Sequence, residues 1–281
     1  MAKRTQLPPT SPAVRRSGTV AMLIAAILSA GCGSLERGAA EPDRDSGQMV
    51  VTYQNATTPA ARSGRTLMTN AHMLEDMARY VNSYLKLPYS VALVGAQCNE
   101  ANAFWNAGDK KITICYEYAD LMLNLFKASI DGHAADPAKA AVNAQIATAY
   151  HELGHAIIAI YDLPATGSHE DAADQLAAYM WLVPDENMKN DAPQVVVDYA
   201  EMLKQHALTR QTLSVADFAD EHPPDITRMY NLACWVYGSN PAVHADMITQ
   251  VGLPGERASR CEWEFQNLTK AWNALLEPHL K

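Results

Sequence analysis

The segment His151-Glu152-Leu153-Gly154-His155 constrains this chain more than any other. It lies inside an apolar-periodic run, roughly residues 137 to 161, that reads as one long helix. Asp136 is placed as its N-cap, Pro137 occupies the first helical position, and Pro164 follows its end. Residues four apart share a helix face, so His151 and His155 can aim two imidazoles at one metal ion. Glu152 can then stay outside the coordination shell, close to a metal-held water, as a general base. The bare pattern also arises by accident on amphipathic helices, so its weight rests on partners further along the chain.

A catalytic zinc usually takes three protein ligands and a water. The third ligand should come from a neighbouring element rather than from the same helical turn, and Glu170 is the candidate. It lies fifteen residues after His155, across the turn at residues 163–167. Ser168 reads as the N-cap of the next helix, with Asp171 as its capping-box partner, and that helix runs to about Leu182. Asp174 shares the face of Glu170 one turn on. It is suited to accept a hydrogen bond from the non-ligating nitrogen of His151 or His155. Ala172 and Ala173 between them allow the two helices to approach closely. The competing reading for first-turn acids is stabilisation of the helix dipole, which suits Asp171 well. Further on, His222 and Arg228 are candidates to stabilise an oxyanion. Their structural alternatives are an Arg228 pair with an acid such as Asp220, and His222 as a cap for the helix that Pro223-Pro224 begins.

The first thirty or so residues read as an export signal. Lys3, Arg4, Arg15 and Arg16 form a basic region, and Thr19 to Leu28 is an apolar run too short to span a bilayer. Leu28-Ser29-Ala30-Gly31-Cys32 resembles a bacterial lipoprotein signal, with Ser29 where Leu is commoner and Cys32 as the lipidated residue. The expected organisation is a signal peptide at 1–31, an anchor cysteine and tether at 32–66 with a first strand at 49–53, and one domain at 67–281. The expected location is the cell envelope, on a membrane through the lipid anchor. The formal charge of the whole chain is −9, and the signal carries four of its positive charges and no acid, which leaves −13. Such an acidic, exported protein is a poor binder of nucleic acid. Four further cysteines, Cys98, Cys115, Cys234 and Cys261, suggest two disulfides in an oxidising compartment. Three pairings exist. Cys98–Cys115 and Cys234–Cys261 are preferred because each brackets one local supersecondary unit, and no C-x-x-C spacing suggests zinc instead.

Apolar spacing predicts helices over residues 70–85, 117–130, 191–208, 224–237 and 256–276, with Asp131-Gly132 ending the second. Ala56 to Gly64 reads as loop. Val91 to Val94 reads as a short strand, and residues 102–105 and 111–115 form two β-like runs around the turn at 106–109, a hairpin. Its strand edge is suited either to hold an extended peptide or simply to complete a core sheet. The fold class is α+β: a small N-terminal antiparallel or mixed sheet, a mostly helical C-terminal half, and the histidine helix at the centre.

HELGH followed by Glu170-x-x-x-Asp174 resembles the gluzincin branch of zinc metallopeptidases. His222-Pro223-Pro224-Asp225-Ile226-Thr227-Arg228 resembles a His-Pro…Arg segment of the CAAX-prenyl-protease and heat-shock-protease metallopeptidases, and Asn102-Ala103-Phe104 also occurs there. Those relatives cross the membrane several times, and no segment after the signal is apolar enough to do so. Over residues 67–281 the chain resembles more closely a family of exported bacterial proteins catalogued as metallopeptidases, of otherwise unknown function. The shared features are the Cys98 to Cys115 hairpin, the HELGH helix, the run from Glu170 to Gln175, Cys234 to Gly238, and Leu253-Pro254 through Cys261. The resemblance implies a zincin-like fold and one zinc per chain on His151, His155 and Glu170, with Glu152 as base. It does not bring a substrate; the expectation of a peptide or protein substrate comes from the HExxH chemistry itself. The rival from another class is an inactive metal-binding or structural envelope lipoprotein that serves as an interaction module, and that rival has no use for Glu152.

Overall fold

A computed structural model of the chain describes residues 45–129, 136–183, 192–209 and 212–281. The signal segment, Cys32 and the Asp131-Gly132 turn lie outside the described residues. The sheet has four strands: β1 (Met49–Tyr53), β2 (Val91–Ala96), β3 (Ala103–Asn106) and β4 (Lys111–Cys115). Their order is β1-β2-β4-β3, with β1, β2 and β4 parallel and β3 antiparallel to β4 at one edge. The sequence explains the difference between centre and edge. The near-continuous apolar run Val91-Ala92-Leu93-Val94 is mostly buried in the middle of the sheet, as expected of a strand covered on both faces. The side chains of β3 instead alternate between half-buried and exposed. The β3–β4 turn is closed by the Asn106 side chain, which accepts from the Asp109 amide at 2.9 Å, and Lys110 takes a left-handed conformation. The Cys98–Cys115 disulfide ties the approach to this hairpin to its last residue, as its bracketing position suggested.

Helices make up most of the rest. They are α1 (Pro59–Asn70), α2 (Met73–Tyr84), α3 (Tyr116–Ala128), α4 (Pro137–Tyr161), α5 (His169–Leu182), α6 (Ala192–Thr209), α7 (Asp225–Ser239), α8 (Met247–Gln250) and α9 (Gly255–Leu276). Helix α1 corrects the loop expected at 56–64. Its turn-like composition is in fact start-of-helix chemistry: Thr58 caps the Ala61 amide and Pro59 takes the first helical position. Gly64 serves packing rather than a turn. A Cβ there would fall 1.9 Å from the Tyr116 carbonyl oxygen, so only glycine lets α1 lie against the start of α3.

Helix α4 is the axis of the molecule and packs against α3, α5, α6 and the edge strand β3. Most of its length is buried on more than one side, which is why its apolar residues do not form a single stripe. Its start is as expected, with the Asp136 carboxylate accepting from the amides of Ala138 and Lys139. Helix α7 lies between α6 and α9, and the Cys234–Cys261 disulfide joins it to α9. Among the described residues no helix is long and apolar enough to cross a membrane.

Candidate metal centre

The body of one helix, the first turns of the next and one loop build the site. On α4, His151 and Glu152 are buried and His155 is half-buried. The turn after α4 returns the chain antiparallel as α5, whose first turn is set by Ser168, the hydroxyl of which accepts from the Glu170 amide at 3.2 Å. The cap therefore falls on Glu170 rather than Asp171. The closeness of the two helices rests on Gly154 and Ala173: a Cβ on Gly154 would come within 2.7 Å of the Ala173 Cα. Small residues at this crossing bring the Glu170 carboxylate onto the histidines.

Donor atoms of three residues converge there. Nε2 of His151 and Nε2 of His155 are 3.2 Å apart. Glu170 Oε2 is 3.1 Å from His151 Nε2, and Oε1 is 3.2 Å from His155 Nε2. A tetrahedral ion with bonds of about 2.0–2.1 Å would hold its ligand atoms roughly 3.3–3.4 Å apart. The donor set therefore fits zinc in both chemistry and spacing. His222 joins them from the loop before α7, with its Nε2 2.7 Å from Glu170 Oε2. The donor atoms of His151, Glu170 and His222 all lie within 4.8 Å of one another. Burial opposes the charge on Glu170, but hydrogen bonds from three histidines outweigh it and hold its carboxyl far below the usual range.

Behind the histidines lies a second layer. Asp174 Oδ1 is 2.8 Å from His151 Nδ1, the nitrogen that faces away from the cluster. The same carboxylate takes a fork from Arg228, Nε to Oδ2 at 2.7 Å and Nη2 to Oδ1 at 2.8 Å. Burial would discharge Asp174, yet Arg228 and His151 keep it ionised well below its ordinary pKa. Burial likewise works against a charged His151. The Asp174 charge and the hydrogen bonds to Asp174 and Glu170 overcome it and hold this imidazole at about 9 in the absence of a cation.

This layer refines two expectations. Arg228, expected beside reacting atoms or paired with Asp220, has its guanidinium on Asp174, so its contact with the site passes through that carboxylate. His222 does not cap α7, because Pro224 holds that position without a side-chain hydrogen bond. The residue that sequence reasoning missed is Tyr199 on α6. Its hydroxyl accepts from Arg228 Nη2 at 2.6 Å and lies 3.4 Å from Asp174 Oδ1, to which it can donate. In sequence Tyr199 sits on an apolar face with Val195, Val196 and Leu203, and nothing local marks it as different from core.

Glu152 stands apart from the carboxylate and imidazoles of the cluster. It is buried, which raises its pKa, and it is hydrogen-bonded to the main chain of Trp105 in β3. The edge strand thus meets the site at the residue next to His151.

A sequence-family model described as "putative metallopeptidase" matches residues 53–276, a span that contains every residue named at this site. No curated protein and no solved structure matches the chain.

Proposed function

Because the chain belongs to this metallopeptidase family, we propose that it is a zinc-dependent peptidase of the gluzincin type with a zincin-like fold. His151, His155 and Glu170 would hold the ion. The observation that carries this reading is the convergence of those three donors, with Glu152 buried beside them and outside the set. A zinc ion there would polarise a substrate carbonyl and make a water acidic enough to attack near neutral pH.

The protein's own groups supply the rest. Asp174 accepts the Nδ1 proton of His151 and so leaves the Nε2 lone pair free for the ion. Arg228 keeps Asp174 charged and immobile. Glu152 takes a proton from the attacking water and delivers it to the amine nitrogen as the peptide bond breaks. His222 donates from Nε2 to the oxygen that gains charge when the carbonyl carbon becomes tetrahedral. The substrate runs along β3. Among the described residues that strand pairs with β4 alone, so its outer edge can offer amides and carbonyls to an extended chain. Under this reading the protein works in the bacterial cell envelope, tethered through a lipidated Cys32.

The test is Glu152→Gln. Hydrolysis of a mixed peptide library should fall by about 10²–10⁴-fold, while zinc content stays at one per chain. A Gln variant that keeps wild-type turnover would remove Glu152 from the mechanism and with it this assignment.

A further inference from the structure

The geometry points to His222 as a fourth, displaceable ligand of the metal, bound in the resting protein and released when substrate enters. This inference rests on the metal-binding reading above and adds a regulatory step to it.

Three observations carry it. First, His222 approaches Glu170 as the other two histidines do. All three present Nε2 to its carboxylate, at 3.1 Å from His151, 3.2 Å from His155 and 2.7 Å from His222. His151, Glu170 and His222 form one close group, and His155 faces the other oxygen of Glu170, so an ion held between His151 and Glu170 has four candidate donors around it, the number at which zinc closes its shell. Secondly, the other ring nitrogen of His222 faces a carboxylate, with Asp220 Oδ1 3.6 Å from Nδ1. An outer carboxylate on the non-ligating nitrogen is the usual companion of a metal-bound histidine; Asp220 stands just beyond hydrogen-bond reach of His222, whereas Asp174 bonds His151 Nδ1 at 2.8 Å. Asp220 also accepts from the His222 amide at 3.0 Å, a bond local to the loop.

Thirdly, His222 is built to leave. The side chains of His151, His155 and Glu170 are 4%, 19% and 11% exposed and sit on the packed helices α4 and α5, whereas that of His222 is 44% exposed. It belongs to the segment between the short 3-10 helix at Val215–Phe218 and α7, where residues 219–222 are all exposed. Few packing contacts oppose a shift of that segment. Four protein ligands make the closed shell of a structural site, while a catalytic site needs an open position. Release of His222 opens that position and leaves its imidazole within reach of the reacting carbonyl oxygen, where the proposed mechanism uses it. The protein would then rest in a self-blocked state, relieved by a substrate that supplies its own donor.

X-ray absorption of the zinc-loaded protein counts the imidazoles directly. Three histidines and one carboxylate in the wild type, two histidines in His222→Ala, and zinc affinity at least tenfold weaker in the variant are expected. Acetohydroxamate, a small bidentate zinc ligand, should lower the wild-type count from three to two. A wild-type shell of two histidines and a water, or a hydroxamate complex that keeps three, overturns the inference and leaves the zinc reading standing. The wild-type spectrum decides the first point even if His222→Ala does not fold. A folded wild-type protein that takes up no zinc at all would instead sink the underlying reading and this inference together.

Discussion

Asp174 shows how much of the candidate metal centre lies behind the residues proposed to hold the ion. It is a carboxylate almost wholly out of water, which is tolerable only because an imidazole, a guanidinium fork and a phenol surround it. Burial keeps the Tyr199 phenol protonated, so its hydroxyl can accept from Arg228 and donate to Asp174 at once. Tyr199→Phe should weaken zinc binding by roughly tenfold, as loss of outer hydrogen bonds to ligating histidines does, with the metal-free fold intact by circular dichroism. Equilibrium competition with a chromophoric chelator measures it, and unchanged affinity would reduce Tyr199 to core packing. Asp198 gives a pH-dependent case away from the site. Burial raises its pKa, although Asn143 and Gln194 donate to it at 2.7 and 2.9 Å. A carboxyl with a raised pKa in the folded state favours folding most below its unfolded pKa, and this contribution is lost as pH rises through the folded value. Asp198→Asn should therefore raise the melting temperature at neutral pH, since the exposed Gln194 can turn its amide to suit. The gain should vanish at pH values below the usual carboxylate range. A gain of equal size at both ends of a pH series would contradict the burial argument.

At the scale of elements, the site depends on how closely α4 and α5 approach. The atom that a Gly154 Cβ would strike is backbone, so no rotamer change relieves the contact. Gly154→Ala should cost about 1–3 kcal/mol in urea unfolding, the usual range for overpacking. It should also draw Glu170 away from the histidines, so that zinc affinity falls along with stability. A variant that loses stability but binds zinc normally would mean that Glu170 follows the histidine helix by some other constraint. Apolar spacing located α2, α3, α6, α7 and α9, and cap residues helped to place α4 and α5, which are buried on more than one side. Both failed at α1, where Thr58, Pro59, Ser63 and Gly64 look like a loop one residue at a time. The Thr58 cap is local, but Gly64 makes sense only once α3 is present to lie against it.

Across the whole molecule, the candidate metal centre joins parts of the chain far apart in sequence. Its candidate donors come from α4, from the first turn of α5 and from the loop before α7, and α6 supplies the tyrosine behind them. An ion bound there would cross-link most of the C-terminal half. Chelation should lower the melting temperature, by the equivalent of about 4 kcal/mol when free zinc had stood at a thousand times its Kd. Glu170→Ala should melt at the same temperature with and without chelator, and a chelator effect that survives in that variant would place the stabilising metal elsewhere. The sequence by itself determined the histidine helix, the placement of Glu170 and Asp174 beside it, the hairpin and both disulfides, because helix spacing, caps and short bracketing intervals are local and leave their mark within a few turns. Only the tertiary structure decided that Arg228 answers to Asp174 rather than Asp220, that Tyr199 joins them, and that His222 reaches Glu170. Those contacts span 25 to 54 positions, and which side chains meet over such distances is set by how the helices pack, which no local pattern records.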